Sequence, residues 1–359
     1  MQYSIEQYIA LGAFAFIFVA ALTPVMRVIA IRISAFDSPN IPRKVHSEPV
    51  PYLGGAAIAI GILVVSYSAM LYSNFSLTAF ALASSVLLPA LAIAVMGLID
   101  DLKGLEPWPR LLLQTIAAVI VSAILISTHT IGTPLDNIFL DSAITIFWIV
   151  GVCNSINFFD NLDGSAAGTV SVITAFIFII AFSRQQFLVS ALAIVTAGAT
   201  AGFLLWNRAP AKIYMGDAGA LFLGIIVAVL TIRLDPQIAP RSKSLSIPFL
   251  LMALPILDTT VAVLSRIRRG ISPFQGGRDH LSHRLIRLGF EPDSAAVTLW
   301  FSAAFFCMIA LGIYKKPQIF GYPLMGISGL IWVGLMIFFL RIPSEGEAKG
   351  HVVPSSHVQ

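Results

Sequence analysis

The amino-acid sequence predicts an all-α polytopic membrane protein with about eleven transmembrane helices, the N-terminus outside and the C-terminus cytoplasmic. Of its 359 residues, 57% are hydrophobic and only 11% are charged. A soluble domain carries about a quarter of its residues as Asp, Glu, Lys and Arg. The apolar residues form long runs, and most of the basic residues fall in alternate loops between these runs. These three observations indicate that lipid is the main solvent of the chain.

Each predicted span is an apolar run close to the ~20 residues that cross the bilayer core. The runs cover residues 6–26, 54–73, 77–99, 109–128, 138–153, 166–183, 187–206, 217–233, 245–265, 295–314 and 320–341. The fifth run is short, and we expect Pro255 to bend the ninth because proline removes a backbone donor. We expect residues 1–341 to form one integral-membrane domain and 342–359 to be a polar, disordered cytoplasmic tail.

The positions of the 22 Lys and Arg residues set the orientation. With the N-terminus outside, most of them lie in cytoplasmic loops, although the loop after the eighth span, with Arg233, Arg241 and Lys243, is an exception. Six aspartates, which were not used to set the orientation, fall on the same cytoplasmic face. They are Asp100, Asp101, Asp160, Asp163, Asp217 and Asp279. Their convergence predicts a functional site on that face.

Asp100 and Asp101 end the apolar run LAIAVMGLI. Adjacent carboxylates repel each other, and partial removal from water is costly without a cation. The pair therefore indicates a metal, a basic partner or general-base chemistry, while an acidic end that fixes the helix in the membrane is the structural alternative. Because successive helical side chains are about 100° apart, we expect the two residues to be non-equivalent, with Asp100 as the base.

The segment NSINFFDNLDGSAAG, residues 154–168, carries five Asn and Asp residues between apolar ones. Asn and Asp side chains hydrogen-bond nucleobase edges and ribose, and their oxygens bind magnesium. A turn that caps the next helix needs only one such residue, so the pattern favours function. The apolar residues between them predict that the segment packs against the bundle.

Asp217 lies in WNRAPAKIYMGDAGALFLG, residues 206–224, at the start of an apolar run. An N-cap aspartate is the simplest interpretation of this position. Gly216 and Gly219 leave room for backbone amides to approach a phosphate, and Asn207 and Lys212 precede them. Both interpretations are open from the residues alone.

The longest loop, residues 265–290, concentrates arginines around the motif DHLSH. Arginine forks typically bind phosphate, which predicts an anionic ligand. A positive-inside loop explains the arginines beside the span but not His280 and His283, and a zinc site is a weaker alternative. In the first loop, Lys44 and His46 are candidates for holding a phosphate or a uracil.

In this order the segments resemble the polyprenyl-phosphate N-acetylhexosamine-1-phosphate transferase family. The resemblance rests on RKVHSEPVPYLGG, GLIDD, NFFDNLDG, FLLWNRAPAKIYMGDAG and RDHLSHRL, which extend over nearly the whole chain. It implies transfer of GlcNAc-1-phosphate or a related N-acetylhexosamine 1-phosphate from a UDP-sugar to undecaprenyl or another polyprenyl phosphate, with release of UMP. It also implies a Mg²⁺ cofactor, for which Mn²⁺ substitutes, and initiation of a cell-envelope glycan at the inner (plasma) membrane.

The resemblance implies a role for each site residue. Asp217 is the expected metal ligand, with Asn157 as a second, and Asp100 and Asp101 are the expected reactive pair beside the lipid phosphate. The substrate-binding positions are Asp160, Asp163 and Asn207 around the uridine, His280, His283 and Arg284 at the diphosphate, Arg110 at a basic position of the family, and Lys44 and His46 in the first loop. Besides the two substrates, we expect membrane lipid as a partner and no nucleic acid, and a homodimer is left open.

The sequence departs from the family pattern at Ser282, where members commonly have a histidine. PYLGG replaces the PTMGG of the peptidoglycan enzyme MraY, and the HHH triplet of MraY is absent, so the sugar-initiating branch is favoured. MraY activity on UDP-MurNAc-pentapeptide is the alternative within this class. The alternative of another class is an ion-coupled transporter, which would place charges near the bilayer midplane, where Asp258 is the only acid well inside a predicted span.

Overall fold

The computed structural model describes residues 4–37, 49–72, 76–273 and 276–344, and it confirms the all-α, multi-pass prediction. The helices are α1 Ile5–Arg32, α2 Gly54–Tyr72, α3 Leu77–Lys103, α4 Pro107–Ser127, α5 Ile138–Phe159, α6 Ser165–Ser183, α7 Phe187–Asn207, α8 Gly216–Arg233, α9 Arg241–Leu251, α10 Ala253–Arg268, α11 Leu281–Arg287, α12 Pro292–Lys315 and α13 Pro317–Arg341. Among these described helices, 10 can each cross a membrane, and α9 with α10 makes an eleventh crossing when counted as one bent span.

Short sequence signals begin several of these helices. The Asn137 side chain accepts the amide protons of Phe139 and Leu140, both at 3.1 Å, and so caps α5. α4, α12 and α13 begin with proline, which is tolerated there because the first amide of a helix has no intrahelical acceptor. These local caps explain why the predicted and observed helix starts agree within a few residues.

The fifth helix is longer than the sequence predicted. α5 continues to Phe159 instead of ending at residue 153, so the first part of the Asn-rich segment is helical. Asn154 faces α4, where its Nδ2 donates to the side chain of Gln114 at 2.6 Å. Ile156 and Phe159 are buried, as expected for a segment that packs against the bundle.

The ninth span is broken at Met252, where α9 and α10 meet with a bend of 68°. Pro255 lies in the first turn of α10. Proline is tolerated in a first turn but not in a helix interior, where it removes one hydrogen bond and crowds the carbonyl four residues earlier. The bend expected near Pro255 is confirmed, and it takes the form of a break between two helices.

α8 is the central helix of the bundle. In its most apolar stretch 83% of the residues are buried, compared with 11% in α13 at the periphery. α3 and α5 pack along α8, while α1, α6 and α7 form a neighbouring layer. This placement puts the first turn of α8 among the ends of α3 and α5, and we call this end of the bundle the site end.

The other end of the bundle, where α8 finishes and α9 begins, is here called the far end. It holds the three basic residues that are exceptions to the charge pattern. Lys243 is buried and donates from Nζ to the carbonyl of Pro317 at 2.8 Å, and Arg241 pairs with Asp136 at 2.5 Å. Arg233 is also buried. Lys243 and Arg241 are therefore engaged by other residues of the protein, and Arg233 donates from Nη1 to the carbonyl of Leu82 at 3.3 Å.

A two-stranded antiparallel ribbon lies before α2, with β1 at Phe36–Asp37 and β2 at Val50–Pro51. The chain after β2 is fixed to the segment that precedes α8, because Tyr214 donates its amide proton to Pro51 at 2.9 Å. The all-α prediction did not include this ribbon. Lys44, His46 and the tail from residue 345 onward lie outside the described residues, so the expectations for them remain predictions.

Candidate active site

Asp101, near the end of α3, caps the N-terminus of α8. Its carboxylate accepts the amide protons of Asp217 at 2.8 Å and of Ala218 at 3.1 Å. Gly216 permits this approach, because its φ is +68° and a Cβ there would collide with the Asp101 carboxylate. The residue preceding α8, Met215, provides no side-chain cap, so a neighbouring helix supplies the negative charge that a helix N-terminus favours.

This arrangement corrects one interpretation of the sequence. Asp217 is the second residue of α8 and not its N-cap, so the simplest interpretation of that position is wrong. Asp101 was expected to act in a reactive pair beside the lipid phosphate. In the structure both of its carboxylate oxygens accept α8 amide protons, and its expected role stays a prediction.

Arg110, in the first turn of α4, joins the ends of three other helices. Its Nη1 lies 2.7 Å from Oδ2 of Asp100 and 3.1 Å from Oδ2 of Asp217. Its Nη2 donates to Oδ1 of Asn157 at 3.2 Å, and Asn157 donates from Nδ2 to Oδ1 of Asp217 at 2.7 Å. We call Asp100, Arg110, Asn157 and Asp217 the acidic cluster. The resemblance to the family placed all four in the site, and the structure brings them together.

The residues of the acidic cluster differ in their access to solvent. Asp100 is only 7% exposed, and its Oδ1 accepts the amide proton of Leu105 at 2.5 Å. The side chains of Asp217 and Arg110 are 30% and 24% exposed. Asp100 and Asp101 therefore have different partners, as the helical spacing predicted, and Asp217 with Arg110 forms the open side of the cluster.

Two further aspartates follow α5 and extend the acidic region. Removal from water, followed by the negative charges of Asp217, Asp101 and Asp163, raises the pKa of Asp160 to about 8. Asp163 accepts the amide proton of Ala211 at 2.8 Å and thereby holds the segment before α8. Among the described contacts of the acidic cluster, Arg110 is the one guanidinium that faces the two carboxylates of Asp100 and Asp217.

Asn207, the last residue of α7, was expected around the uridine, and that role stays a prediction. It is 2% exposed, and its Oδ1 accepts the amide proton of Gly164 at 3.1 Å. Its Nδ2 donates to the carbonyl of Ile213 at 3.0 Å. Because both polar atoms of this buried amide bind the backbone, Asn207 fixes the start of α6 in the structure.

The DHLSH motif is held by a buried charge network. Asp258 of α10 lies 2.7 Å from Nδ1 of His280 and accepts the amide proton of Leu281 at 2.7 Å. Arg266 donates from Nε to Asp279 at 3.0 Å, and its Nη2 lies 3.2 Å from Nε2 of His280. Arg269 also pairs with Asp279. We call Asp258, Arg266, Arg269, Asp279 and His280 the buried network.

The buried network holds His280, which was expected at the diphosphate. The histidine is 5% exposed and both ring nitrogens are engaged in the structure, and its expected role stays a prediction. The sequence singled out Asp258 only as an acid that a transporter would place within a span. In the structure its carboxylate contacts His280. Its role was missed because a contact between residues 258 and 280 leaves no periodic pattern in the sequence.

Arg284, on α11, was also expected at the diphosphate, and that role stays a prediction. It is 1% exposed and donates to the carbonyls of Asp279 at 2.9 Å, Phe339 at 2.7 Å and Ile342. Arg287 donates to the carbonyl of Pro343. Both arginines therefore bind the C-terminal end of α13, where cations interact favourably with the helix dipole.

His283 and Ser282 complete the account of the motif. Removal from water, with the positive charges of the His280, Arg278 and Arg287 side chains as smaller causes, lowers the pKa of His283 to about 3. The imidazole is thus neutral near pH 7. Ser282, which occupies the usual histidine position of the family, donates to the side chain of Asn161 and joins the motif to the loop after α5.

The oxygen donors of the acidic cluster fit a hard divalent cation. Asp217 is partly exposed and Asn157 lies directly beside it. Within the residues that the structure describes, no three His, Cys, Asp or Glu side chains form a metal-binding group. Magnesium does not require one, since it is commonly held by one or two carboxylates together with substrate phosphates. The excess of carboxylates over arginine supplies the electrostatic reason for a cation there.

Comparisons with known proteins identify relatives of this chain. The sequence profile of glycosyl transferase family 4 matches residues 83–235. A probable undecaprenyl-phosphate N-acetylglucosaminyl 1-phosphate transferase of Bacillus subtilis is 31% identical over 90% of this chain and 86% of its own length. A decaprenyl-phosphate N-acetylglucosaminephosphotransferase of Mycolicibacterium smegmatis is 31% identical over 77% and 74%. A phospho-N-acetylmuramoyl-pentapeptide-transferase of Lactobacillus gasseri is 28% identical over 70% and 80%.

Proposed function

Because the chain belongs to glycosyl transferase family 4, we propose that it transfers N-acetylglucosamine 1-phosphate to a polyprenyl phosphate in the membrane. Two of its relatives are named for this sugar phosphate and for undecaprenyl or decaprenyl phosphate. The acidic cluster carries the proposal. It lies at one end of the bundle, where a lipid phosphate and a water-soluble donor can meet, and its open side pairs a carboxylate with a guanidinium.

The donor in this proposal is a UDP-sugar, and UMP is the leaving group. The donor's diphosphate is split between its two phosphorus atoms, so the sugar keeps one phosphate. Arg110 supplies a guanidinium for phosphate oxygens. Asp160 and Asp163 follow α5 beside the acidic cluster and are the proposed contacts of the uridine.

A magnesium ion completes the proposed site, with Asp217 as its main protein ligand and Asn157 as the second. When bound, it supplies charge stabilisation to the phosphates as the oxygen bridging them departs. Two phosphate substrates repel each other, and Arg110 alone does not offset that charge. Transfer should therefore stop in excess chelator and return with Mg²⁺ or Mn²⁺. Full activity in excess chelator would contradict the proposed requirement for a divalent cation.

For the chemical step, we propose direct attack by an oxygen of the polyprenyl phosphate on the sugar-bearing phosphorus. A covalent route would use an aspartate as nucleophile. Asp100 is a poor candidate for that task, since Arg110 and Leu105 engage its oxygens and it is buried. Its ion pair positions Arg110 toward the open side. The earlier assignment of Asp100 as general base stays a prediction.

The two routes differ when polyprenyl phosphate is left out. Direct transfer releases no UMP from enzyme and UDP-GlcNAc alone, whereas a covalent route releases up to one equivalent and leaves a mass increase on one aspartate. Rapid-quench measurement of UMP with wild type and Asp100→Asn distinguishes them. A stoichiometric burst that Asp100→Asn abolishes would replace the direct route.

We place the site end on the cytoplasmic face of the plasma membrane, because nucleotide sugars are made in the cytoplasm and the basic loops lie at this end. The decisive assay supplies purified enzyme with undecaprenyl phosphate and, separately, UDP-GlcNAc, UDP-GalNAc or UDP-MurNAc-pentapeptide, and measures lipid-linked product. We expect UDP-GlcNAc to be used best. Preference for the pentapeptide donor would favour the activity of the Lactobacillus gasseri relative, and no turnover with any donor would overturn the proposal.

A further inference from the structure

A second pair of polar side chains joins α4 to α5, one helical turn deeper in the bundle than Arg110 and Asn157. Asn154 donates from Nδ2 to Oε1 of Gln114 at 2.6 Å, and we call these two residues the amide pair. Gln114 follows Arg110 by four residues on α4, and Asn154 precedes Asn157 by three on α5. Residues with these spacings share one face of a helix. Two polar contacts at successive turns therefore connect the same two helices.

The amide pair lies within apolar, membrane-spanning helices and is incompletely satisfied. Gln114 is 1% exposed, and among the described residues no acceptor engages its Nε2. The Nδ2 of Asn154 also donates to the carbonyl of Val150 at 2.8 Å, so it keeps a partner without the glutamine. A buried donor without an acceptor is costly, and a leucine at position 114 would avoid that cost. The amide pair therefore contributes geometry more than stability.

The geometry in question is the rotation of α4 about its own axis. α4 packs mainly against α5 and α3, and its outer face carries exposed apolar residues, which are Leu112, Leu113, Ile116, Val119 and Ile120. Such residues are equally well solvated by lipid in any outward orientation, so they do not fix a rotation. Helical side chains reach ~5 Å from the axis, so a rotation of ~20° moves a side-chain tip by about 2 Å. A shift of that size would break the contacts of Arg110 with Asp100 and Asp217.

We propose that Gln114 is a positioning residue for the transfer reaction. Its hydrogen bond with Asn154 fixes the rotation of α4 and thereby holds the Arg110 guanidinium beside Asp217, where the substrate phosphates bind. This inference rests on the proposed function, in which Arg110 binds phosphate. Gln114 itself does not touch the substrate in this account.

The first measurement compares kcat and thermal unfolding of purified full-length wild type and Gln114→Leu in detergent, with undecaprenyl phosphate, UDP-GlcNAc and Mg²⁺. We expect kcat to fall about 10–100-fold, because a misplaced guanidinium stabilises the transferred phosphate poorly. The unfolding temperature should stay the same or rise, because an unpaired buried donor is removed. Unchanged turnover would overturn the proposal, and a loss of turnover together with stability would assign Gln114 a structural role instead.

The matched control for this measurement is Ser122→Ala. Ser122 lies two turns further along α4, is also 1% exposed, and its Oγ has no partner among the described residues. It forms no hydrogen bond between α4 and α5 there, so its replacement should leave kcat unchanged. A loss of turnover in Ser122→Ala as large as that in Gln114→Leu would show that any polar deletion in α4 has this effect, and would overturn the proposal.

The second measurement asks whether Gln114 acts through Arg110. Arg110→Lys keeps a positive charge but removes the planar guanidinium that the amide pair is proposed to hold. Gln114→Leu should therefore lower kcat much less in the Arg110→Lys background than in the wild type, since residues that act as a unit have non-additive effects. Equal fold losses in both backgrounds would show that Gln114 acts independently of Arg110 and would overturn the positioning role.

Exchange of the two amide side chains tests the proposal should Gln114→Leu fail to fold. Gln114→Asn alone shortens the side chain and should lower kcat, and the addition of Asn154→Gln restores the combined length and should recover most of the activity. No recovery in the folded double variant would overturn the proposal. A wild type that transfers no sugar phosphate would contradict the proposed function and this inference together, whereas an active wild type with unaffected Gln114 variants would contradict this inference alone.

Discussion

The acidic cluster and the buried network lie at the same end of the bundle but handle charge in opposite ways. The acidic cluster places Asp100 and Asp217 against the guanidinium of Arg110, and Asp101 lies close by at the first turn of α8. The buried network matches two arginines with two aspartates around His280. Asp217 and Arg110 are partly exposed, while Asp258 and Arg266 are 1% and 2% exposed.

The difference teaches how to separate binding residues from positioning residues in a membrane enzyme. An unbalanced, partly open set of charges requires a ligand to neutralise it, and that requirement is what makes it a site. A balanced, closed set satisfies itself and fixes the backbone that carries it. Substitutions should therefore reduce turnover in the acidic cluster and reduce folding stability in the buried network.

The largest expected effect is on turnover in the acidic cluster. Asp217→Asn keeps the size of the side chain but removes the charge that holds the cation, so kcat should fall about 10²–10³-fold. The unfolding temperature should stay the same or rise, because like-charge repulsion with Asp100 is relieved. Measurement of kcat together with thermal unfolding in detergent checks both statements.

The control for this prediction is Asp136→Asn, which removes an exposed carboxylate at the far end and should leave kcat unchanged. Nearly normal turnover in Asp217→Asn would show that the open carboxylate is not needed for catalysis. If Asp217→Asn lowered the unfolding temperature but not kcat, the acidic cluster would have the structural role that we assign to the buried network.

The second expected effect is on stability in the buried network. Arg266→Met leaves Asp279 and His280 without their shared partner, and breaking a buried pair costs about 3–5 kcal/mol. Arg268→Met, two residues away on the same helix but exposed, should change stability by less than about 0.5 kcal/mol. Denaturant unfolding in mixed micelles compares the two variants, and equal losses would contradict the assigned role of the network.

The third expected effect concerns pH. A carboxyl whose pKa is raised from 3.8 to about 8 on folding binds its proton more tightly in the folded protein. Its contribution to stability therefore declines as pH rises from about 4 to about 8. Asp160→Asn should remove this decline, so it should stabilise the chelator-treated enzyme most at pH 8 and above, and not below pH 4. A variant whose unfolding temperature follows the wild type at every pH would contradict this.

The smallest expected effect on activity is that of a cysteine substitution at Leu288, which tests whether the DHLSH region is accessible from the cytoplasm. Leu288 is 48% exposed, whereas Ser282 is 1% exposed and bonded to Asn161. A cysteine at Leu288 should react with an impermeant thiol reagent from the cytoplasmic side and leave kcat within about twofold. A cysteine at Ser282 should stay unlabelled. Labelling of the Leu288 variant from the outside would overturn the orientation.

The membrane spans were predictable because apolar length is a property of local sequence. The error in α5 arose because Asn154 and Asn157 resemble loop residues until their partners are known, and those partners lie 40 and 60 residues away. The α8 cap by Asp101 connects residues 116 positions apart. Asp100, Asn157 and Asp217 were singled out from the residue pattern, and Arg110 came from the family resemblance. The engaged states of Asn207, His280 and Arg284 depend on long-range packing that no short pattern encodes.

The hydrogen bonds from Arg284 to the C-terminal end of α13 have a consequence for biosynthesis. Arg284 takes its acceptors from Phe339 and Ile342, which lie 55 and 58 residues further along the chain. The arginine is made before these two acceptors, so the hydrogen bonds between α11 and the end of α13 form only after residues 339 and 342 have been synthesised. A chain that stops before residue 339 would keep every residue of the acidic cluster yet leave the Arg284 guanidinium without these acceptors. The last span must therefore be synthesised before Arg284 can form its hydrogen bonds with the end of α13.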